Sequence, residues 1–105
     1  MENLSFFDEK INWKYDKQHG MILTKDETEL IAYLQSNTET DFIFLPDELE
    51  IIHPYAFYGN TKLEMIVIPL NVMNIGNYAF SGCTNLTNVY YLGTNKPEVA
   101  QNAFE

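Results

Sequence analysis

In the second half of the chain, apolar and polar positions alternate in short bursts and do not follow helical spacing. Three bursts, "DFIFLP", "EMIVIP" and "TNVYYL", are rich in β-branched and aromatic residues, a composition that suits strands. The first two end in Pro, which offers no N–H to a ladder and stops the strand. A second extended piece follows around Glu50–Ile52 and Asn74–Ile75. Each unit then closes on "YAFYG" or "YAFSG". Ala is small enough to let the backbone turn inward and Phe fills the core, while Gly59 or Gly82 can take a positive φ.

The bursts belong to a repeat. Residues 45–63, "LPDELEIIHPYAFYGNTKL", and 68–86, "IPLNVMNIGNYAFSGCTNL", align without gaps at an offset of 23. Leu45, Ile52, Ala56, Phe57, Gly59 and Leu63 fall on Ile68, Ile75, Ala79, Phe80, Gly82 and Leu86. A looser third copy begins near Tyr91 and reaches "NAF" at Asn102–Phe104, one residue longer. The units are therefore 45–67, 68–90 and a partial 91–105. Self-similarity at this period marks a solenoid, in which each coil buries its apolar side against its neighbours. Coils should stack about 4.8 Å apart, with Phe57, Phe80 and Phe104 forming an internal ladder.

Residues 1–40 lack this unit and are acidic. With no Pro/Gly/Ser-rich linker before residue 41, the chain reads as one domain whose first part caps the repeats. "INWKYDKQHGMILTKDETELIAYL" allows strands at Asn12–Tyr15, Met21–Thr24 and Glu29–Leu34. "TKDETELIAYL" equally allows a helix, with Thr24 and Glu27 as a capping box and Leu30, Ile31 and Leu34 on one face. The pattern leaves hairpin and helix open over 24–36.

Charge narrows the function classes. The net charge is −9, there is no Arg, and twelve of the fifteen acids lie in residues 1–50. Direct nucleic-acid binding needs Lys and Arg to neutralise phosphates, so it is not expected. Anionic membranes are disfavoured on the same ground. The N-terminus "MENLSFFDEK" carries acids where a secretory signal carries bases. As given, the chain is expected to be cytoplasmic, or surface-exposed or secreted if it is part of a longer exported protein.

Candidate chemistry is sparse. One Cys excludes an internal disulfide framework, and Cys83 fills the repeat slot of Asn60, as a small buried residue would. With only His19 and His53, no metal-ligand cluster of normal spacing arises. His53, ahead of Pro54, should point outward from a corner. The carboxylates Glu48 and Glu50, and Asp26, Glu27 and Glu29, lie in charged stretches that read as solvated faces. Ser36 and Ser81 lack a nucleophile-elbow context. No catalytic constellation, cofactor site or metal site is expected, and the chain reads as non-enzymatic.

The run "LPDELEIIHPYAFYGNTKLEMIVIPLNVMNIGNYAFSGCTNL" resembles the BspA-like leucine-rich repeat, whose unit reads roughly L-x-x-I-x-I-P-x-x-V-x-x-I-G-x-x-A-F-x-G-C-x-x-L. Asn60 stands in place of the Cys, His53 in place of the Gly, and Tyr91-Leu92 in place of Ile-Pro. The resemblance implies a leucine-rich-repeat solenoid: a right-handed β/α superhelix, mainly β with short helical turns and a parallel sheet on the concave side. "HGMILTKDETELIAYL" is similar to a hairpin insert of that family, which favours strands over a helix there. The family often occurs in surface proteins that bind host or matrix proteins or other cells.

Register then selects a face. If Leu63, Ile66 and Ile68 point inward, strand alternation sends Met65 and Val67 to the concave surface. The same register exposes Phe42, Phe44, Asn88 and Tyr90, giving two columns, Phe42–Met65–Asn88 and Phe44–Val67–Tyr90. Exposed aromatic and Met-rich patches commonly mark interfaces, so a protein partner is expected on these columns. Two other covers are open: the acidic N-terminal part, or a second copy of the chain. A different class of function is a small acidic inhibitor that occupies the basic groove of a nucleic-acid enzyme. The strand at Asn88–Leu92 should form a sheet edge, and such edges invite pairing. Homo-oligomerisation through that end, or a longer natural protein, is the expectation.

Overall fold

The computed structural model describes residues 12–34 and 42–105. These residues contain nine strands and no helix: β1 Lys14–Asp16, β2 Met21–Leu23, β3 Glu29–Tyr33, β4 Phe42–Ile43, β5 Ile51–Ile52, β6 Met65–Ile68, β7 Asn74–Ile75, β8 Asn88–Tyr91 and β9 Glu98–Val99. Successive strands of each coil go to different sheets. One sheet is three-stranded in the order β4-β6-β8; the other is six-stranded in the order β1-β2-β3-β5-β7-β9. All repeat strands pair in parallel, while β1, β2 and β3 form an antiparallel meander.

The turns between sheets follow from the Pro and Gly positions. After Pro46 and Pro69 the chain reverses through bonds from Leu49 N to Pro46 O and Val72 N to Pro69 O, at 3.1 and 3.2 Å. At the other corner Gly59 and Gly82 take φ of 73° and 78°, the conformation glycine tolerates best. These corners are turns, and no helical element is found among the described residues, so the short helical turns anticipated for the fold are not seen there. Instead the corners carry a ladder of their own: Phe57 N donates to Ala79 O at 2.7 Å, Gly59 N to Ser81 O at 2.8 Å and Phe80 N to Ala103 O at 2.7 Å.

The core lies between the sheets and is built from the expected inward positions. Leu63, Ile66 and Phe57 are fully buried, and Ile68, Ile75 and Phe80 nearly so. The Phe rings stack in a column, with centroids 4.9 Å apart for Phe57–Phe80 and 5.0 Å for Phe80–Phe104. The column extends one ring further than anticipated: Tyr33 stacks on Phe57 at 5.3 Å, and its N–H donates to Ala56 O at 2.8 Å. Tyr33 thus fills the Phe slot of a coil ahead of the first repeat read from sequence.

The N-terminal segment resolves to strands. Thr24 does not cap a helix; its Oγ1 accepts from Glu29 N at 3.0 Å and donates to Asp26 Oδ1 at 2.9 Å. Glu27 sits at φ 64°, outside the helical region, with its carboxylate 2.5 Å from Lys14 Nζ on β1. Of the helix reading of 24–36, residues 35 and 36 lie outside the described residues, and over 24–34 it is replaced by a turn and the strand β3.

Candidate functional site

The three-stranded sheet pairs Phe42 with Met65 and Met65 with Asn88, while Val67 pairs with Tyr90. Between them run Ile43, Ile66 and Val89, also in register. Side-chain alternation places the two sets on opposite faces. Ile43 and Ile66 are buried, whereas Phe44 is 75% exposed and Tyr90 48% exposed. Met65 and Val67 are half-buried and Asn88 is exposed. Phe42 is described by its backbone alone, which holds it beside Met65. Five of the six residues thus lie on strands of this sheet, and Phe44 directly follows β4. Glu64, exposed beside Met65, adds negative charge at the margin.

Among the described residues, no strand pairs on the outer side of β4; the meander of β1, β2 and β3 joins the other sheet. Residues 1–11 and 35–41, which carry part of the proposed acidic cover, lie outside the described residues.

The titratable groups are structural in placement. His53 is half-buried, not pointing freely outward as its corner position suggested. Its Nε2 lies 2.7 Å from Glu29 Oε1 on the neighbouring coil, a carboxylate that read as solvated. His19 Nδ1 lies 2.8 Å from Asp16 Oδ2. Burial pushes the Asp16 carboxyl up, but the hydrogen bonds from His19 outweigh it and leave the group below its ordinary value. Asp26 is lowered by the Thr28 hydroxyl first, then by Thr28 N and the Thr24 hydroxyl. The described residues hold no group of three or more His, Cys, Asp or Glu suited to a metal ion.

Cys83 is half-buried and its Sγ donates to Phe57 O at 3.1 Å on the preceding coil. Burial raises its thiol above the ordinary value, which suppresses the reactive thiolate. Asn60, in the equivalent slot, is buried and its Oδ1 accepts from Lys62 N and Leu63 N at 3.1 and 3.2 Å. Side chains at this slot tie the corner to the backbone.

A second exposed aromatic cluster was not singled out from the sequence. Tyr55 stacks on Tyr78 with centroids 5.2 Å apart and meets Tyr58 edge-on at 5.4 Å. Tyr55 and Tyr78 adopt φ of 65° and 58°. The signal available was the Tyr recurring before Ala-Phe at the offset of 23.

Solved structures with the same arrangement include the pneumococcal vaccine antigen PcpA, with a TM-score of 0.69 and 22% identity over 90% of this chain and 20% of that one. A leucine-rich repeat protein from Bacteroides capillosus gives a TM-score of 0.64 and 20% identity over 77% of this chain and 66% of that one. The T. pallidum leucine-rich repeat protein gives 0.55 and 29% identity over 73% of this chain and 39% of that one. The chain thus spans less than two thirds of the length of each. No curated protein matches the sequence. The model of the BspA type leucine rich repeat region matches residues 22–105 in six copies. With the two-sheet coil, the Ala-Phe corners and the ring column on these same residues, the chain belongs to the BspA-type leucine-rich repeat family.

Proposed function

We propose that the chain is a non-enzymatic protein-interaction module that engages a protein partner through the outward face of β4-β6-β8. The observation that carries this reading is the pair Phe44 and Tyr90, large side chains exposed at 75% and 48%, Tyr90 in register with Val67 on β6 and Phe44 directly after β4. A few exposed aromatic anchors on a rigid sheet are what concentrates binding energy at an interface. Membership of a leucine-rich repeat family supports the same class of function. The proposal includes a right-handed coil with this sheet on its concave side, since crossovers between parallel strands of one sheet are almost always right-handed.

Capture experiments with the wild-type chain and with Phe44→Ser/Tyr90→Ser as baits test the reading. Loss of capture by a folded double variant, with wild-type capture persisting at high salt, supports an apolar interface. Capture that fades as salt rises and ignores the double variant would favour charge mimicry by the acidic N-terminal half, the inhibitor reading. Full capture by the folded variant at high salt would move the binding site off this sheet.

A further inference from the structure

Two tyrosines stand at the same slot of consecutive coils, directly ahead of each Ala-Phe corner, and the same slot of the following coil holds Asn102. Tyr55 and Tyr78 both adopt the left-handed conformation, with φ of 65° and 58°. For a bulky side chain that conformation is strained and uncommon. Hydrogen bonds hold it here: Tyr55 N donates to Asn77 O at 3.0 Å, Tyr58 N to Tyr55 O at 3.1 Å and Ser81 N to Tyr78 O at 3.1 Å. Because the same φ recurs on stacked coils, both side chains leave the backbone in one direction and ring lies over ring.

The two rings are stacked, with centroids 5.2 Å apart and planes 26° from parallel. Tyr55 is 55% exposed and Tyr78 half-buried. The stacked pairs of the inner column each contain a Phe, whereas this outer pair consists of two phenols within reach of solvent. Tyr58 meets Tyr55 edge-on, its plane inclined by 62°. Both members of the stacked pair sit on inner coils, with the coil of Tyr33 before them and that of Phe104 after.

We propose that Tyr55 and Tyr78 form an oxidative cross-linking site, at which a one-electron oxidant joins them as a dityrosine. Each phenol gives up one electron and one proton, and the two phenoxyl radicals form a single carbon–carbon bond between ring carbons ortho to the hydroxyls. Each of those carbons then releases its hydrogen as a proton while the phenolic oxygen takes one up, which restores both aromatic rings. With hydrogen peroxide and a haem peroxidase as the oxidant, one peroxide accepts the two electrons and two protons and leaves as two waters. Stacking holds the two reactants together and makes the coupling unimolecular. The bond closes a loop at the repeat offset of 23 and constrains the unfolded chain as a disulfide would. The chain has one Cys and cannot form an internal disulfide, so the tyrosine pair is its route to a covalent staple between coils. This site is separate from the outward face of β4-β6-β8 and does not depend on it.

Treatment of the 105-residue chain with hydrogen peroxide and a haem peroxidase, followed by intact-mass measurement and peptide mapping, tests the assignment. The expected product is a monomer lighter by two hydrogens, formed in a yield independent of protein concentration. Cleavage after Lys62 separates the two tyrosines, so the linked product keeps the two peptides joined through Tyr55 and Tyr78. Tyr78→Phe keeps the ring and removes the phenol, and should abolish the link. Tyr58→Phe should retain it. A link in the native chain that joins Tyr55 to Tyr58, or either member of the pair to another tyrosine, overturns the proposal. So does a chain that couples only between molecules, or one that gains no link while free tyrosine couples in the same mixture.

Discussion

Phe57 and Phe80 lie face to face, with ring centroids 4.9 Å apart and planes 7° from parallel. Their separation is one strand spacing, so the repeat that stacks the strands also stacks the rings. With Tyr33 above and Phe104 below, four successive coils contribute to one column.

Removing an inner ring should leave a cavity that the neighbours cannot fill, because the hydrogen-bonded ladders fix their backbones. Phe80→Ala is expected to cost about 3–5 kcal/mol, a large share of the total stability of so small a domain. Phe104→Ala, at the half-exposed end, should cost clearly less. Chemical denaturation measures both, and equal midpoints for the two variants would contradict the column.

Gly76 tests a different kind of contact. A Cβ added there would lie 2.6 Å from Pro54 N and 2.8 Å from Pro54 Cδ on the preceding coil. Replacing Gly by Ala at an ordinary φ usually stabilises, by about 0.4–1 kcal/mol, through the unfolded state. Here the close approach of two backbones reverses the sign, and Gly76→Ala should destabilise by about 1–3 kcal/mol. Gly59→Ala meets no atom within 4 Å, and its cost comes only from the positive φ. A Gly76→Ala variant as stable as the parent in urea would show that the coils are not in this contact.

Acid should loosen the turn between β2 and β3 in a way that one substitution isolates. Asp26 Oδ1 accepts from Thr24 Oγ1, Thr28 Oγ1 and Thr28 N at 2.9, 2.8 and 3.1 Å. These bonds hold its folded-state pKa below the ordinary 3.8. Its contribution is therefore present above that value and lost as pH falls through the lower folded-state value. Asp26→Asn keeps an acceptor oxygen without the charge. The Tm difference between wild type and Asp26→Asn should be small and positive near neutrality, where an exposed group contributes little, and should vanish in strong acid. A difference that stays constant across the titration would remove Asp26 from the acid response.

Much of the fold was legible because the two full repeats align without gaps: Ile52 pairs with Ile75 as Phe57 stacks on Phe80. The coil containing Tyr33 was not. Leu30 pairs with Ile52, an offset of 22, while Tyr33 stacks on Phe57, an offset of 24. A spacing that changes within the unit hides the repeat from any fixed-offset comparison, and Tyr stands where the later coils have Phe. The hairpin was ambiguous for another reason: Thr24 can cap a helix or brace a turn with the same hydroxyl, and the positive φ of Glu27 is a property of the folded chain. His53 escaped because its partner Glu29 is 24 residues away, on a strand that the sequence did not place beside it.

The columns on β4-β6-β8 depend on register, and two neighbouring residues test it directly. Ile43 is 5% exposed and Phe44 75% exposed, although they are adjacent and similarly apolar. Strand alternation accounts for the contrast: Ile43 is in register with buried Ile66, and Phe44 is the next residue along the chain. Ile43→Ser leaves a void and buries a hydroxyl, so it should destabilise by about 2–5 kcal/mol. Phe44→Ser changes a largely exposed side chain and should cost clearly less, within about 1 kcal/mol of wild type. Equilibrium unfolding of the two variants distinguishes the cases. If Phe44→Ser proved the more damaging, the strand would be slipped by one residue, and Ile43 and Val89 would become the outward residues available to a partner.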